Sequence, residues 1–287
     1  MKFTKDTNIL IIGLGVIGGS YAKALTDLGY KVSCITKNEE DIRYALEKNM
    51  IHYGTTALDE KLIAESPLIV FALYPTVFIE WIEKNQALFS PGTLITDVTG
   101  VKGSVVKKVQ GLLRSDVEFI AAHPMAGRER SGVEFSDPDV FKGANYIVTP
   151  TDKNTPEAIE ICKALGSELG FSRISELSVE KHDEMIAFLS QLTHCIAVSL
   201  MNCNETPELE KYTGDSFRDL TRIAKINDKM WSELFLMNKK ALLTEMDSFI
   251  SEFTEFRNLI ESDDTEKLRE KMRASTARRA LFDKPKA

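Results

Sequence analysis

The chain has 287 residues, with 36 basic and 43 acidic side chains giving a formal net charge of −7. That length supports two domains with sizeable cores, while the acidic balance argues against sequence-independent nucleic-acid binding, which needs a basic surface. The N-terminus carries no apolar signal region and no segment approaches about 18 uncharged apolar residues, so a soluble, cytoplasmic protein with no membrane partner is expected.

The first element is an apolar strand, Asn8-Ile9-Leu10-Ile11-Ile12, that empties into Gly13-Leu14-Gly15-Val16-Ile17-Gly18. A helix with apolar residues at Val16, Ile17, Tyr21, Ala24, Leu25 and Leu28 begins at once, Gly29 ends it, and a second strand follows at Lys31-Val32-Ser33-Cys34-Ile35. Strand, glycine turn and helix in that order present backbone N–H groups and a helix N-terminus to a dinucleotide pyrophosphate. Gly13, Leu14, Gly15, Val16, Ile17 and Gly18 are therefore the expected cofactor loop. An NAD site usually has Asp or Glu at the end of the second strand to hold the ribose 2′-OH. This chain has Thr36-Lys37-Asn38 there, and Thr36 and Lys37 suit a 2′-phosphate. The pattern leans toward NADP, with Glu39 or Glu40 reaching the ribose of NAD as the alternative.

Strand-like and helical stretches go on alternating. Leu68-Ile69-Val70-Phe71-Ala72 is the continuous apolar run expected of a parallel strand covered on both faces. Tyr74-Pro75 breaks it, and a helix over 77–88 follows. Further strands are expected at 93–97, 117–121 and 145–149, with a helix over 102–113 between the first two. Thr155-Pro156-Glu157 caps and starts a helix that Gly170 closes, and 171–174 fits a last edge strand. The pattern is an α/β, doubly wound sheet over residues 1–176. From 177 to 287 the strand signal stops. Residues 185–201 are apolar nearly all round, which predicts a helix buried on most faces. Leu242, Met246, Phe249, Phe253, Phe256 and Ile260 form a stripe suited to a core or a subunit seam. An all-helical second domain that builds a homodimer is the expectation. Cys34, Cys162, Cys195 and Cys203 have no metal-ligand spacing and sit in apolar segments, as reduced core residues do, and no metal is expected.

Three places carry candidate chemistry. His123 opens the loop His123-Pro124-Met125-Ala126-Gly127, and residues just past the carboxyl ends of strands in such sheets face the ligand crevice. A neutral histidine there takes the proton from an alcohol as its carbon loses hydride; the competing reading is a structural hydrogen-bonder. Asp219 and Arg222 share a helix face at i,i+3. Either the carboxylate holds the guanidinium fork for a substrate carboxylate, or the two make an ordinary surface ion pair. Ser190-Gln191-Leu192-Thr193-His194 interrupts an apolar helix, so His194 is either a core histidine satisfied by a carbonyl or a polar wall of the substrate pocket. His182 stands 12 residues before His194, about 120° away around a helix, so the two do not make a metal pair.

Together these blocks resemble the prephenate dehydrogenase family over nearly the whole chain. The matching stretches are residues 13–20; Asp97-Val98-Thr99-Gly100-Val101-Lys102; His123-Pro124-Met125-Ala126-Gly127 with Glu129 and Ser131-Gly132; 190–194; and 217–224 with Met230-Trp231. The resemblance implies a Rossmann-like doubly wound sheet followed by an all-helical dimerisation domain. It implies oxidative decarboxylation of prephenate to 4-hydroxyphenylpyruvate in tyrosine biosynthesis, hydride passing from the ring alcohol carbon to NAD(P)⁺ as CO₂ departs. In that chemistry His123 engages the ring hydroxyl and Arg222 binds a substrate carboxylate. We assign Arg222 the side-chain carboxylate, because gripping the departing one would stabilise the ground state. Many members have a serine where this chain has Gly100; Thr99 or a water then supplies the hydroxyl. Glu129 matches an acid at the pocket mouth, as a gate between domains or as a substrate contact. Neutral Ser131 favours prephenate over arogenate. With no room for a regulatory or mutase domain, tyrosine feedback would act at the active site itself. The rival readings are arogenate dehydrogenase, a β-hydroxyacid dehydrogenase and a catalytically silent NAD(P)-sensing protein.

Overall fold

The computed structural model describes residues 3–127 and 130–283. By packing, the chain divides into two compact units, Met1–Lys239 and Lys240–Ala287. In the first, β1 (Asn8–Ile12), β2 (Lys31–Ile35), β3 (Tyr53–Thr55), β4 (Leu68–Phe71), β5 (Leu94–Asp97) and β6 (Glu118–Phe119) form a parallel sheet in the order β3-β2-β1-β4-β5-β6. The crossovers contain α1 (Val16–Asp27), α2 (Glu39–Glu47), α3 (Glu60–Ala64), α4 (Pro75–Asn85) and α5 (Gly103–Leu112). Strand order reverses between β1 and β4, which opens a crevice at their carboxyl ends.

Side-chain alternation splits each central strand between two cores. Ile9 and Ile11 of β1 join Leu68 and Val70 of β4 on the face that buries Tyr21, Ala22 and Leu25 of α1. Leu10, Ile12, Ile69 and Phe71 point the other way, against Phe78 and Ile82 of α4 and Val105 and Val109 of α5. Each large apolar side chain so buried contributes about 1.5–3 kcal/mol. Gly13, with φ of +99°, lets the chain turn out of β1, and a Cβ there would stand 2.5 Å from the Ala72 carbonyl oxygen. A Cβ on Gly18 would drive into the Gly13 carbonyl and stand 2.9 Å from the Ala72 Cβ.

The strand expected over 117–121 is divided. The Ile120 N–H still bonds the Ile95 carbonyl at 2.9 Å, but the Ala122 N–H donates to the Asp97 carboxylate at 3.1 Å. The chain leaves the parallel sheet there. β7 (Ala121–Met125) pairs antiparallel with β8 (Asn145–Thr149), which pairs parallel with β9 (Arg173–Glu176). As an edge strand β7 accommodates Pro124, which has no N–H to give. The doubly wound expectation therefore holds for six strands, while the last expected strands form a three-stranded sheet of their own. His123 lies inside β7 rather than past a strand end, because the Asp97 side chain redirects the chain one residue earlier. α6 (Pro156–Glu168) starts as expected, with the Thr155 hydroxyl accepting from the Ala158 N–H.

α7 (Val179–Ile186), a π-helical turn over 187–192 and α8 (Thr193–Asn202) run on without a break. By length and composition alone Val179–Asn202 is long and apolar enough to cross a membrane, although polar side chains interrupt it at 190, 191, 193 and 194. Its burial is one-sided, unlike the expected helix buried on most faces. His182, Ile186, Ala187, Gln191, Leu192 and Ala197 are buried, whereas Phe188, Leu189 and Met201 remain exposed. α9 (Asp215–Thr221), a 3₁₀ turn over 222–224 and α10 (Asp228–Met237) complete this unit. In the second unit α11 (Lys239–Glu261) and α12 (Thr265–Arg279) are joined at Asp263, and Lys271 pairs with Glu252 and Glu255 at 2.9 and 3.0 Å. Phe249, Phe253 and Ile260 of the α11 stripe are exposed.

The close approach at Gly18 yields a direct test. Gly18→Ala overpacks the turn, costing about 1–3 kcal/mol of stability. Thermal unfolding should show that loss together with weakened dinucleotide binding by titration calorimetry; a variant unchanged in both would contradict the close-packed turn.

Candidate active site

β5 delivers Asp97 to the crevice end of the sheet, and the loop after it returns Lys102 to the same point. The two side chains have no solvent exposure and meet at 2.8 Å. Lys102 Nζ also donates to the Ala122 carbonyl at 2.5 Å and to the Thr99 hydroxyl oxygen at 3.2 Å. Asp97 in turn accepts from the N–H groups of Thr99 and Ala122 at 3.0 and 3.1 Å, and from the Thr99 hydroxyl. Burial lowers the pKa of Lys102 from its ordinary value, and the Asp97 counter-charge opposes that shift. The pair fastens the end of β5 to residue 122, which places the next residue, His123.

His123 Nδ1 lies 2.9 Å from His182 Nε2, the rings meeting edge-on at 61°. His182 Nδ1 lies 2.8 Å from Asp183 Oδ1. The Asp183 carboxylate accepts the Lys102 and Gly103 N–H groups, each at 2.8 Å, and so caps α5. Burial raises the Asp183 pKa, but hydrogen bonds from His182, Gly103 and Lys102 outweigh it and hold the carboxyl below its usual value. Burial lowers the pKa of both histidines. For His123, set well below 6.5, the neighbouring His182 and Lys102 add to the effect; for His182, Asp183 opposes it. The other nitrogen of His123 faces Gly100: a Cβ there would lie 3.9 Å from His123 Nε2 and 3.5 Å from Leu234 Cδ1. Leu234 of α10 is held in place by Gln191, whose amide donates to the Leu234 carbonyl at 2.8 Å. Asn238 donates to both Gln191 Oε1 and the Asp183 carbonyl at 2.8 Å.

The remaining expected site residues are placed as follows. His194 Nδ1 is 2.8 Å from the Ser190 carbonyl, and its ring stacks on Trp231 with centroids 3.7 Å apart. It is thus carbonyl-satisfied and half-buried against an aromatic wall. Arg222 and Asp219 are both exposed; Arg222 opens the 3₁₀ turn that packs on α8, the helix of His194. The Thr99 hydroxyl is committed to Asp97 and the Val101 carbonyl, so it helps build the buried cluster and does not stand in for a hydroxyl at Gly100. Ser131 is exposed after β7, and Glu129 lies outside the described residues. Thr36 is buried at the end of β2, while Lys37, Glu39 and Glu40 are exposed. Sequence reasoning missed His182 as a partner of His123, and missed Asp183 and Asn238 altogether. The adjacent His182-Asp183 pair was the available signal, but neighbours in sequence do not normally face each other on a helix.

The glycine loop fits a dinucleotide. Gly15 is the N-cap of α1, no side-chain cap covers that terminus, and no acidic residue lies in its first turn. A Cβ on Gly15 would meet nothing within 4 Å. Open space over uncapped N–H groups at a helix N-terminus suits a pyrophosphate.

Comparison with known proteins agrees with this geometry. Residues 21–174 match the family model described as prephenate dehydrogenase, nucleotide-binding domain, and 178–274 match prephenate dehydrogenase, dimerization domain. A prephenate dehydrogenase of Bacillus subtilis is 32% identical over 277 residues, 93% of this chain and 74% of that protein. A cyclohexadienyl dehydrogenase of Zymomonas mobilis is 32% identical over 96% of both chains. The crystal structure of prephenate dehydrogenase from A. aeolicus with hydroxyphenyl propionate and NAD⁺ superposes with a TM-score of 0.90 at 31% identity, covering 98% of this chain and all of that one.

Two outcomes are expected. Lys102→Met leaves the Asp97 charge buried without its partner and costs about 3–5 kcal/mol, measurable by denaturant unfolding. Because burial depresses its pKa, His123 stays neutral as the pH is lowered through 6.5, so kcat/KM should hold level there and fall only at more acidic pH as His123 becomes a cation. An acidic limb at or above 6.5 would contradict the burial of His123.

Proposed function

The chain belongs to the prephenate dehydrogenase family, and on that footing we propose that it oxidises and decarboxylates prephenate to 4-hydroxyphenylpyruvate, within tyrosine biosynthesis in the cytoplasm. The supporting observation is His123, whose Nδ1 is engaged inside the protein while Nε2 faces the space at Gly100. A bound nicotinamide supplies the hydride acceptor. His123 Nε2 takes the ring-hydroxyl proton as that carbon is oxidised. With no side chain at Gly100, nothing from that residue stands between Nε2 and the substrate hydroxyl, and Leu234 is the apolar neighbour there. Arg222 binds the side-chain carboxylate, with Asp219, His194, Glu129 and Ser131 around the pocket and Thr99 acting from behind through Asp97. In this reading residues 1–176 carry the dinucleotide, and 177–287 complete the substrate site and make the homodimer. The exposed apolar residues Phe188, Leu189, Phe249 and Phe253 support that assembly.

The cofactor is NAD or NADP. Exposed Lys37, with no carboxylate in the Thr36-Lys37-Asn38 corner, supports acceptance of NADP⁺, and the NAD⁺ complex of the Aquifex relative supports NAD⁺. The relative named for the cyclohexadienyl ring rather than for one acid favours a second reading, in which arogenate is also a substrate.

Absorbance at 340 nm with prephenate and with arogenate, each against NAD⁺ and NADP⁺, separates these readings. Turnover of prephenate is expected; silence with both substrates would overturn the function. Arg222→Gln removes a charged bidentate contact and should raise KM for prephenate by about 10–100-fold. Unchanged KM and kcat would remove Arg222 from the site.

A further inference from the structure

The geometry points to His182, anchored by Asp183 on the N-terminus of α5, as a positioning residue that sets both the ring orientation and the tautomer of His123. The nitrogen facing Gly100 is thereby the one that carries no proton. This deepens the proposed function, since it rests on His123 being the base.

The roles follow in order from the charged end. The Asp183 carboxylate accepts two backbone N–H bonds in the first turn of the ten-residue α5, where the helix dipole favours negative charge. An ionised carboxylate has only acceptors, so its third contact, His182 Nδ1 at 2.8 Å, must be an N–H donor. The His182 side chain has no solvent exposure, and a second proton would make it a buried cation close to the Lys102 ammonium. Neutral His182 therefore presents a lone pair at Nε2. The group 2.9 Å away is His123 Nδ1, which must donate. A neutral imidazole has one N–H, so His123 Nε2 is left as the acceptor.

Reversing any one of these roles sets a lone pair against a lone pair or a proton against a proton. The same order serves the chemistry. When His123 takes a proton at Nε2, its Nδ1–H bond to His182 becomes charge-assisted, and the Asp183 charge stabilises the new cation through His182. No proton leaves Asp183. The groups facing His123 are His182 and Asp183 from α7, the Asp97–Lys102 pair from β5 and the start of α5, and apolar Leu234 from α10. The Asp183 carbonyl is held by Asn238, which also holds Gln191 and through it the Leu234 carbonyl. One residue thus ties together the base, the capped helix and the wall over Gly100.

The test uses the full chain labelled with ¹⁵N-histidine. It has four histidines, His52, His123, His182 and His194, so long-range ¹H–¹⁵N spectra can be assigned by single substitution. These spectra report the tautomer without any substrate. The wild type should show His123 protonated at Nδ1; finding the proton at Nε2 overturns the inference even if no variant folds. His182→Gln keeps an acceptor for His123 and a donor for Asp183, whereas His182→Leu keeps neither. His182→Leu should shift His123 toward the Nε2–H form and lower kcat for prephenate about 10–100-fold at every pH, with KM within about threefold. His182→Gln should retain the wild-type tautomer and recover kcat to within about fivefold. If His182 only fills space, Leu and Gln will have equal kcat, and the inference fails. A wild type that does not turn over prephenate would instead overturn the proposed function, while the spectra would still decide the tautomer.

Discussion

The arrangement of this chain depends on a pair of opposite charges sealed from solvent at the end of β5. Asp97 and Lys102 are tolerable there because hydrogen bonding around them is nearly complete. All three Lys102 protons have acceptors, and Asp97 draws donors from the loop after β5 and from residue 122. A buried pair of this kind gains little net stability from its mutual attraction, since both ions give up their hydration. What it fixes is position. It bends the chain out of the parallel sheet, starts the second sheet, and sets β7 so that His123 faces α7.

On that base sits a second line of polar groups with one ionised end. Asp183 is stabilised by the start of α5, which follows directly on Lys102, so the two networks share the segment 102–103. Burial lowers the pKa of both histidines and favours their neutral forms, and the Lys102 charge adds to the effect. The π-helical turn over 187–192 has its own place in this design. It aims Gln191 inward at Leu234 and Asn238 and leaves His194 stacked on Trp231. Such turns are frequent at functional sites because they redirect side chains within an otherwise regular helix.

Family membership and geometry meet at Gly100. Gly100 lies between Thr99 and Lys102, both locked onto Asp97, and the Leu234 side chain. The Thr99 oxygen is turned into the buried cluster and not toward His123 Nε2. Gly100 and the Leu234 side chain stand opposite His123 Nε2, at distances that a single added carbon on Gly100 would close to ordinary contact.

Much of the architecture was determined by local sequence. The run 8–12, the glycines that follow it and the capped start of α6 are set by apolar periodicity and by turn chemistry that only glycine, threonine or proline supplies, and these operate within a few residues. The glycine turn into α1 and the helical character after residue 176 were legible for the same reason. Only the tertiary structure decided that Asp97 would take a backbone donor from residue 122 and divide one expected strand between two sheets. Only it paired His123 with His182, 59 residues away, when sequence spacing had weighed His182 only against His194, as a metal pair that the helix geometry excludes. It also left one face of α7 and α8 exposed, where apolar content alone predicts burial on most faces. Local patterns fix which elements form; which polar groups meet is fixed by the need to satisfy every buried donor and charge, and that need is settled only when distant segments come together.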